Sequence, residues 1–420
     1  MTTFLYNDFT KWLYKQKMKI DNIIELHKQA IEKNKQYSKR RFIAEELLND
    51  SGKHFVGLIG ARGVGKSVLF KQIAALKEDA IYISVDSAEI ENLYELIKTL
   101  TEFYKYKVFF LDEIHFYKEY EKALKTIYDF LDVKIFFTSS VSLSLYESIY
   151  DLSRRVKIFN IYPFSYREYL AIKENIFLEK LNFIDIKEKN WNIEHIREGN
   201  QFKNYISGGL MPFSLEEPDV LTMQRNILEK IIYRDIPLVA KLTTDELELI
   251  KKTLNFIGKS QIDGINYSSL SNNLKITKYK AEQYITLLEK AFVINVIFPE
   301  GTNVLREPKI VMNLPYRLLF KEYEDAIGGL REDFFVECMK LSGNKINYLK
   351  TNKGKKTPDY LIDDNGNNYI IEVGGKGKGI KQFKGIEMDK SIIFADGEKL
   401  DGIKRPLFLA GFMKWFTLVH

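Results

Sequence analysis

The chain has 420 residues, 45% of them hydrophobic and 29% charged, a balance that excludes a disordered or fibrous protein, and the length exceeds one compact core. Its 63 basic and 57 acidic residues leave a net charge of +6, too mild by itself to specify a nucleic-acid partner. A single cysteine, Cys338, excludes an intrachain disulfide and a zinc site of several cysteines, so a reducing, cytoplasmic setting is expected.

The first residues carry charges throughout and do not read as a secretory signal, and no apolar run reaches the roughly 20 residues needed to cross a bilayer. Residues 1–50 read as amphipathic helices rich in Lys and Glu, ending in the turn-forming cluster Asn49, Asp50, Ser51 and Gly52. Strand-length apolar runs follow at 54–60, 80–85, 107–112, 133–139 and 155–161, separated by helix-length stretches of mixed charge. Val, Ile and Phe without polar alternation suit strands covered on both faces, which predicts a parallel α/β sheet of about five strands within 51–173.

A charged, Asn-rich helical lid or linker (174–243) comes next, with a tight turn at Gly208 and Gly209. Leu247, Ile250, Leu254 and Ile257 share one helix face, a short second helix and a third opened by Thr277 follow, and VINVIF closes as a strand. That pattern over 244–300 fits a winged helix-turn-helix. The last section, 301–420, shows a helix over 332–341 and strands around INYLK, DYLID, YIIEV and SIIFAD, a small mixed α/β unit.

GARGVGKS, residues 60–67, fits G-x-x-x-x-G-K-[ST] and lies between a strand and a helix. Gly60, Arg62, Gly63 and Gly65 form a loop whose backbone N–H groups cradle the phosphates of ATP. Lys66 is expected to contact the β- and γ-phosphates and Ser67 to ligate magnesium. Asp112 ends the strand VFFLD where the hydrated Mg2+ is held, and Glu113 beside it is placed to polarise the attacking water. Thr138, Ser139 and Ser140 end the next strand, as γ-phosphate sensors or as caps of the following helix. Arg154 and Arg155 are candidates for an arginine finger, in cis or from a neighbouring subunit, or a solvated charged pair.

In this order and spacing GARGVGKS, FLDEIH, FFTSS, SRRVKIFNIYPFSYREYL and YISGGLMPF resemble the prokaryotic AAA-like P-loop ATPases that join an N-terminal ATPase module to a C-terminal domain of uncharacterised function. The resemblance runs from about residue 30 to the end and is more specific in its first half. It gives Lys66, Ser67, Asp112 and Glu113 the roles already described, matches Ser140 to the family's sensor serine and matches Arg155 to the arginine of its Gly-Arg pair. Ser139 and Arg154 stand where the family pattern has glycines.

The family's C-terminal half looks like a winged helix followed by a restriction-endonuclease-like fold. In that fold an acid on the first helix, an Asp after a proline and an E-x-K bind a divalent metal. The matching residues are Glu332, Asp359 after Pro358, and Glu372, but Gly374 stands where the lysine belongs and the nearest substitutes are Lys376 and Lys378. A remnant without cleavage is therefore expected ahead of a working nuclease. The loop 374–379 remains a candidate phosphate contact, and Lys275, Lys278 and Lys280 around Tyr279 are candidates for DNA or RNA contact or plain scaffold lysines.

Three readings follow: ATP hydrolysis driving a switch of the C-terminal domains, an ATP-regulated metal-dependent nuclease, and a slow-turnover signalling ATPase that recruits a client protein. An oligomer is compatible with each.

Overall fold

The computed structural model describes residues 2–139, 154–261, 264–301, 307–349, 357–383, 388–397 and 402–415. They divide into two compact units, the first ending at Ile161 and the second running from Tyr162 to Phe416.

The first unit opens with two helices, α1 (Thr2–Asn34) and α2 (Ile43–Leu48). Strands and helices then alternate: β1 (Phe55–Ile59), α3 (Lys66–Ala74), β2 (Ala80–Ser84), α4 (Leu93–Tyr104), β3 (Val108–Asp112), α5 (Tyr120–Phe130), β4 (Lys134–Ser139) and β5 (Val156–Asn160). The five strands form one parallel sheet in the order β2-β3-β4-β1-β5. The apolar runs therefore become five buried strands, because helices cover both faces and no polar face is required. Phe70 of α3 packs edge-on against Phe110 of β3, which stacks on Phe136 of β4 at 4.8 Å.

Two devices finish the sheet. Asp50 accepts from Lys134 at 2.6 Å and Lys157 at 2.7 Å, tying the starts of β4 and β5 to the turn before β1. At the edge, the β2 backbone N–H of Tyr82 donates to Nδ1 of His27 on α1 at 3.1 Å, so a side chain takes the place of a missing sixth strand.

In the second unit, a series of short helical turns (166–215) leads to α6 (Val220–Lys230). Then come α7 (Thr244–Lys259), α8 (Tyr267–Leu274), α9 (Lys278–Lys290) and an antiparallel pair, β6 (Ile294–Ile297) with β7 (Lys309–Met312). The predicted face of α7 is buried: Leu247, Ile250, Leu254 and Ile257 pack with Leu270, Tyr284, Ile285 and Leu288.

Helix α10 (Tyr323–Leu341) starts well before the predicted 332, and packs on a five-stranded mixed sheet. Its strands are β8 (Lys345–Tyr348), β9 (Tyr360–Asp364), β10 (Asn367–Gly374), β11 (Ser391–Ala395) and β12 (Lys404–Pro406). Their order is β12-β11-β10-β9-β8, with β8, β9 and β10 antiparallel and β10, β11 and β12 parallel. Asn365 and Gly366, both at positive φ, make the β9–β10 hairpin turn.

The stretch read as one lid or linker divides. Phe183, Ile196 and Phe202 join the core of the mixed sheet, whereas Leu228, Ile231, Ile232 and Ile236 join the core of α7–α9.

Candidate functional site

β1 runs directly into the phosphate loop. Gly63 and Gly65 take φ of 81° and 86°, a region that other residues enter only at a cost. Gly60 has a different reason to be glycine: a Cβ there would lie 2.1 Å from the carbonyl oxygen of Ile161. Because α3 begins at Lys66, its unpaired first N–H groups face the loop's concavity. Lys66 is buried, and its ammonium donates to the carbonyls of Gly60 at 2.6 Å and Ala61 at 2.9 Å, so it lies across the loop. Arg62 and Ser67 are half-buried. Arg41, outside the motif, donates to the Val64 carbonyl at 2.7 Å and holds the loop's crest.

The two carboxylates stand at the same edge of the sheet, two strands away, with β4 between β3 and β1. Asp112 is 3% exposed. Its Oδ2 accepts from the Tyr82 hydroxyl at 2.6 Å and its Oδ1 from Thr138 Oγ1 at 2.5 Å. Burial, then the charge of Asp112, push the Tyr82 phenol far up, so it stays a donor. Among the described residues no Lys, Arg or His is paired with Asp112, and a buried carboxylate held only by hydroxyls fits a divalent cation. Glu113 takes a left-handed conformation (φ 55°, ψ 51°), and its N–H donates to the same Thr138 Oγ1 at 2.8 Å. One hydroxyl thus locks both carboxylate residues.

Thr138 spends its hydroxyl on Asp112 and on the Glu113 N–H. Ser139 contacts His115, and Ser140 lies outside the described residues. Arg155 is not brought to the phosphate loop. It pairs with both carboxylate oxygens of Asp129, at 3.0 and 3.1 Å, and its carbonyl accepts from Phe55 N–H at the start of β1. The loop begins at the other end of that strand, five residues on, about 15 Å away at the rise of an extended chain. Sequence reasoning missed Tyr82, Arg41 and His115; only His115, beside the two carboxylates in FLDEIH, left a legible signal.

In the second unit the predicted carboxylates do gather. Asp359 Oδ2 accepts from Val373 N–H at 2.8 Å, on the strand that carries Glu372. Burial and the charges of Glu332 and Glu372 push the Asp359 carboxyl up to about 7. Glu332 accepts from Lys309 at 2.7 Å and from the Tyr360 hydroxyl at 2.7 Å. Lys378 pairs with Glu372, and its stem fills the space beside Gly374, where a Cβ would lie 2.3 Å from Lys378 Cγ. Two lysines therefore occupy the surroundings of these carboxylates, and no group of three His, Cys, Asp or Glu among the described residues is arranged to hold a metal ion. Lys309, the lysine that opens the otherwise apolar strand KIVM, was the contributor not foreseen.

Two of the three lysines around α9 are also committed: Lys278 pairs with Glu307, and Lys280 with Glu246 at 3.1 Å. Tyr279 is exposed.

Residues 52–170 match the AAA domain family, and residues 199–313 match a domain of unknown function, DUF8612. With the loop and the sheet above, the first match makes this segment similar to AAA-like P-loop domains. The chain is 28% identical over 400 residues to the uncharacterized protein MJ1637 of Methanocaldococcus jannaschii, covering 85% of this chain and 84% of that one. Among solved structures, the Aeropyrum pernix ORC1 protein in complex with DNA aligns at 12% identity, 74% of this chain, 93% of that one and a TM-score of 0.28. AMPPCP-bound DnaA from Aquifex aeolicus aligns at 17% identity, 59% of this chain, 86% of that one and a TM-score of 0.24. No helix among the described residues is long and apolar enough to cross a membrane.

Proposed function

We propose that the first unit binds ATP with Mg2+ and hydrolyses it. The observation that carries this reading is the shared edge on which the phosphate loop, buried Asp112 and adjacent Glu113 stand, locked by Thr138. Gly60, Arg62, Gly63, Gly65 and Lys66 hold the phosphates; Ser67 and Asp112 would hold the magnesium, which supplies charge neutralisation at the phosphates. Glu113 takes a proton from water as the water oxygen bonds to the γ-phosphorus; the bond from that phosphorus to the bridging oxygen breaks, leaving ADP and phosphate. The test is steady-state ATP turnover of the purified chain, wild type against Glu113→Gln, with ATP affinity measured in both. Turnover that is equal in the two proteins sinks the reading.

The second unit is proposed as the part that ATP turnover repositions. The element order α7, α8, α9 and the β6–β7 pair supports a winged helix-turn-helix, and α10 with the mixed sheet supports a restriction-endonuclease-like domain. Its carboxylates are proposed as a non-cleaving remnant, with Lys309 paired to Glu332 and Lys378 reaching Glu372 from outside the motif. DNA or RNA contact falls to the loop 374–379 and exposed Lys376 rather than to Lys278 and Lys280. Turnover measured with added DNA, RNA or candidate client proteins identifies the partner class. Magnesium-dependent cleavage that is lost in Asp359→Ala overturns the remnant reading in favour of an ATP-regulated nuclease.

A further inference from the structure

His115 lies two residues beyond Glu113, with its side chain 6% exposed and its ring 4.5 Å from that of Phe116. Its Nδ1 is 3.3 Å from Glu113 Oε2 and 3.2 Å from Ser139 Oγ. With the proton on Nδ1, that N–H lies between the carboxylate, which only accepts, and the serine oxygen. Ser139 ends β4, and its register partner on β1 is Ile59, the residue before Gly60 of the phosphate loop. The chain of contacts therefore runs from the strand that carries the loop, through a hydroxyl and an imidazole, to the carboxylate that takes the proton.

We propose that His115 is a positioning residue for Glu113. It holds the carboxylate by a hydrogen bond from Nδ1, and Ser139 fixes the imidazole relative to the strand beside the phosphate loop. The backbone argues the same way. Glu113 sits at positive φ, with its N–H fixed by Thr138. Its main chain is thus committed, and His115 contacts its side chain. Proton abstraction depends steeply on the direction from base to water, so losing this restraint lowers turnover without removing a phosphate contact.

This rests on Glu113 being the base of ATP hydrolysis, and the experiment separates the two claims. His115→Ala is expected to lower kcat about 10- to 100-fold while the ATP Kd changes less than about threefold. His115→Asn keeps an N–H donor near the Nδ1 position and is expected to recover kcat to within about fivefold of wild type. Ser139→Ala lowers kcat less, and His115→Ala with Ser139→Ala is no slower than His115→Ala alone, because both act through one restraint. Wild-type turnover in His115→Ala, equal losses in the Ala and Asn variants, or additive losses with Ser139→Ala each overturn the proposal. Undiminished turnover in Glu113→Gln instead removes the base itself, and the positioning role falls with it.

Discussion

Arg317 and Asp333 form an ion pair inside the second unit, where Nη2 donates to Oδ1 at 2.8 Å and Nε to Oδ2 at 2.5 Å, with both side chains at most 2% exposed. Asp333 also accepts from Met312 N–H at 2.9 Å, so one carboxylate ties α10 to the end of β7 and to the turn that follows. Gly329 completes the fit, because a Cβ there would lie 2.6 Å from Arg317 Nε.

Removing one partner strands the other charge in the core. Arg317→Met is expected to destabilise the second unit by about 3–5 kcal/mol, and Arg317→Met with Asp333→Leu to recover much of that loss. Urea unfolding of the three proteins measures this; a double variant no more stable than the single one would count against the stranded-charge explanation.

One helical turn along α10, Glu337 accepts from Leu314 N–H at 3.0 Å. Burial, then the nearby Asp333 charge, push its carboxyl up from 4.5 to about 8. The folded protein thus binds this proton more tightly than the unfolded chain does, so the contribution is fully present below pH 4.5 and is lost as pH rises through about 8. Glu337→Gln keeps the acceptor without the charge. It is expected to be more stable than wild type at pH 8 and equal to it near pH 4.5, as read from thermal unfolding at each pH.

Lys66→Ala and Glu113→Gln should fail differently. The first removes a phosphate contact and abolishes ATP binding; the second binds ATP and does not hydrolyse it. Equilibrium binding of a fluorescent ATP analogue, alongside turnover, separates them. Loss of binding in both would return Glu113 to a structural role.

Thr138→Val removes the hydroxyl that joins Asp112 to the Glu113 N–H. Leaving that N–H unsatisfied costs about 1–3 kcal/mol, and turnover is expected to fall at least tenfold as the two residues lose register. Thr138→Ser keeps the hydroxyl and should restore most of the rate. A Ser variant as slow as Val would show that the hydroxyl by itself does not set the rate.

Arg155→Ala is expected to leave turnover within about twofold of wild type, since its partner is Asp129, at the opposite end of β1 from the phosphate loop, and an exposed ion pair contributes little. A large fall in turnover that grows with protein concentration would place the arginine in a neighbouring subunit's site.

How much the sequence determined by itself depends on how local each interaction is. Phe55–Ile59, the glycines at 63 and 65, the helix that follows the loop, and Asp112 at the end of β3 were all legible, because strand patterning, positive φ and phosphate-loop spacing are set by neighbours along the chain. The apolar face of α7 was legible for the same reason. Only the tertiary structure decided what met across the sheets. It brought Tyr82 and Thr138 to Asp112, set Arg155 at the opposite end of β1 from the phosphate loop, and placed Lys309 on Glu332. Lys378 folded over Gly374 onto Glu372, giving a lysine to a carboxylate cluster whose motif lacks one. A charged side chain's partner depends on strand order and register, which join residues tens of positions apart and leave no periodic trace in the chain.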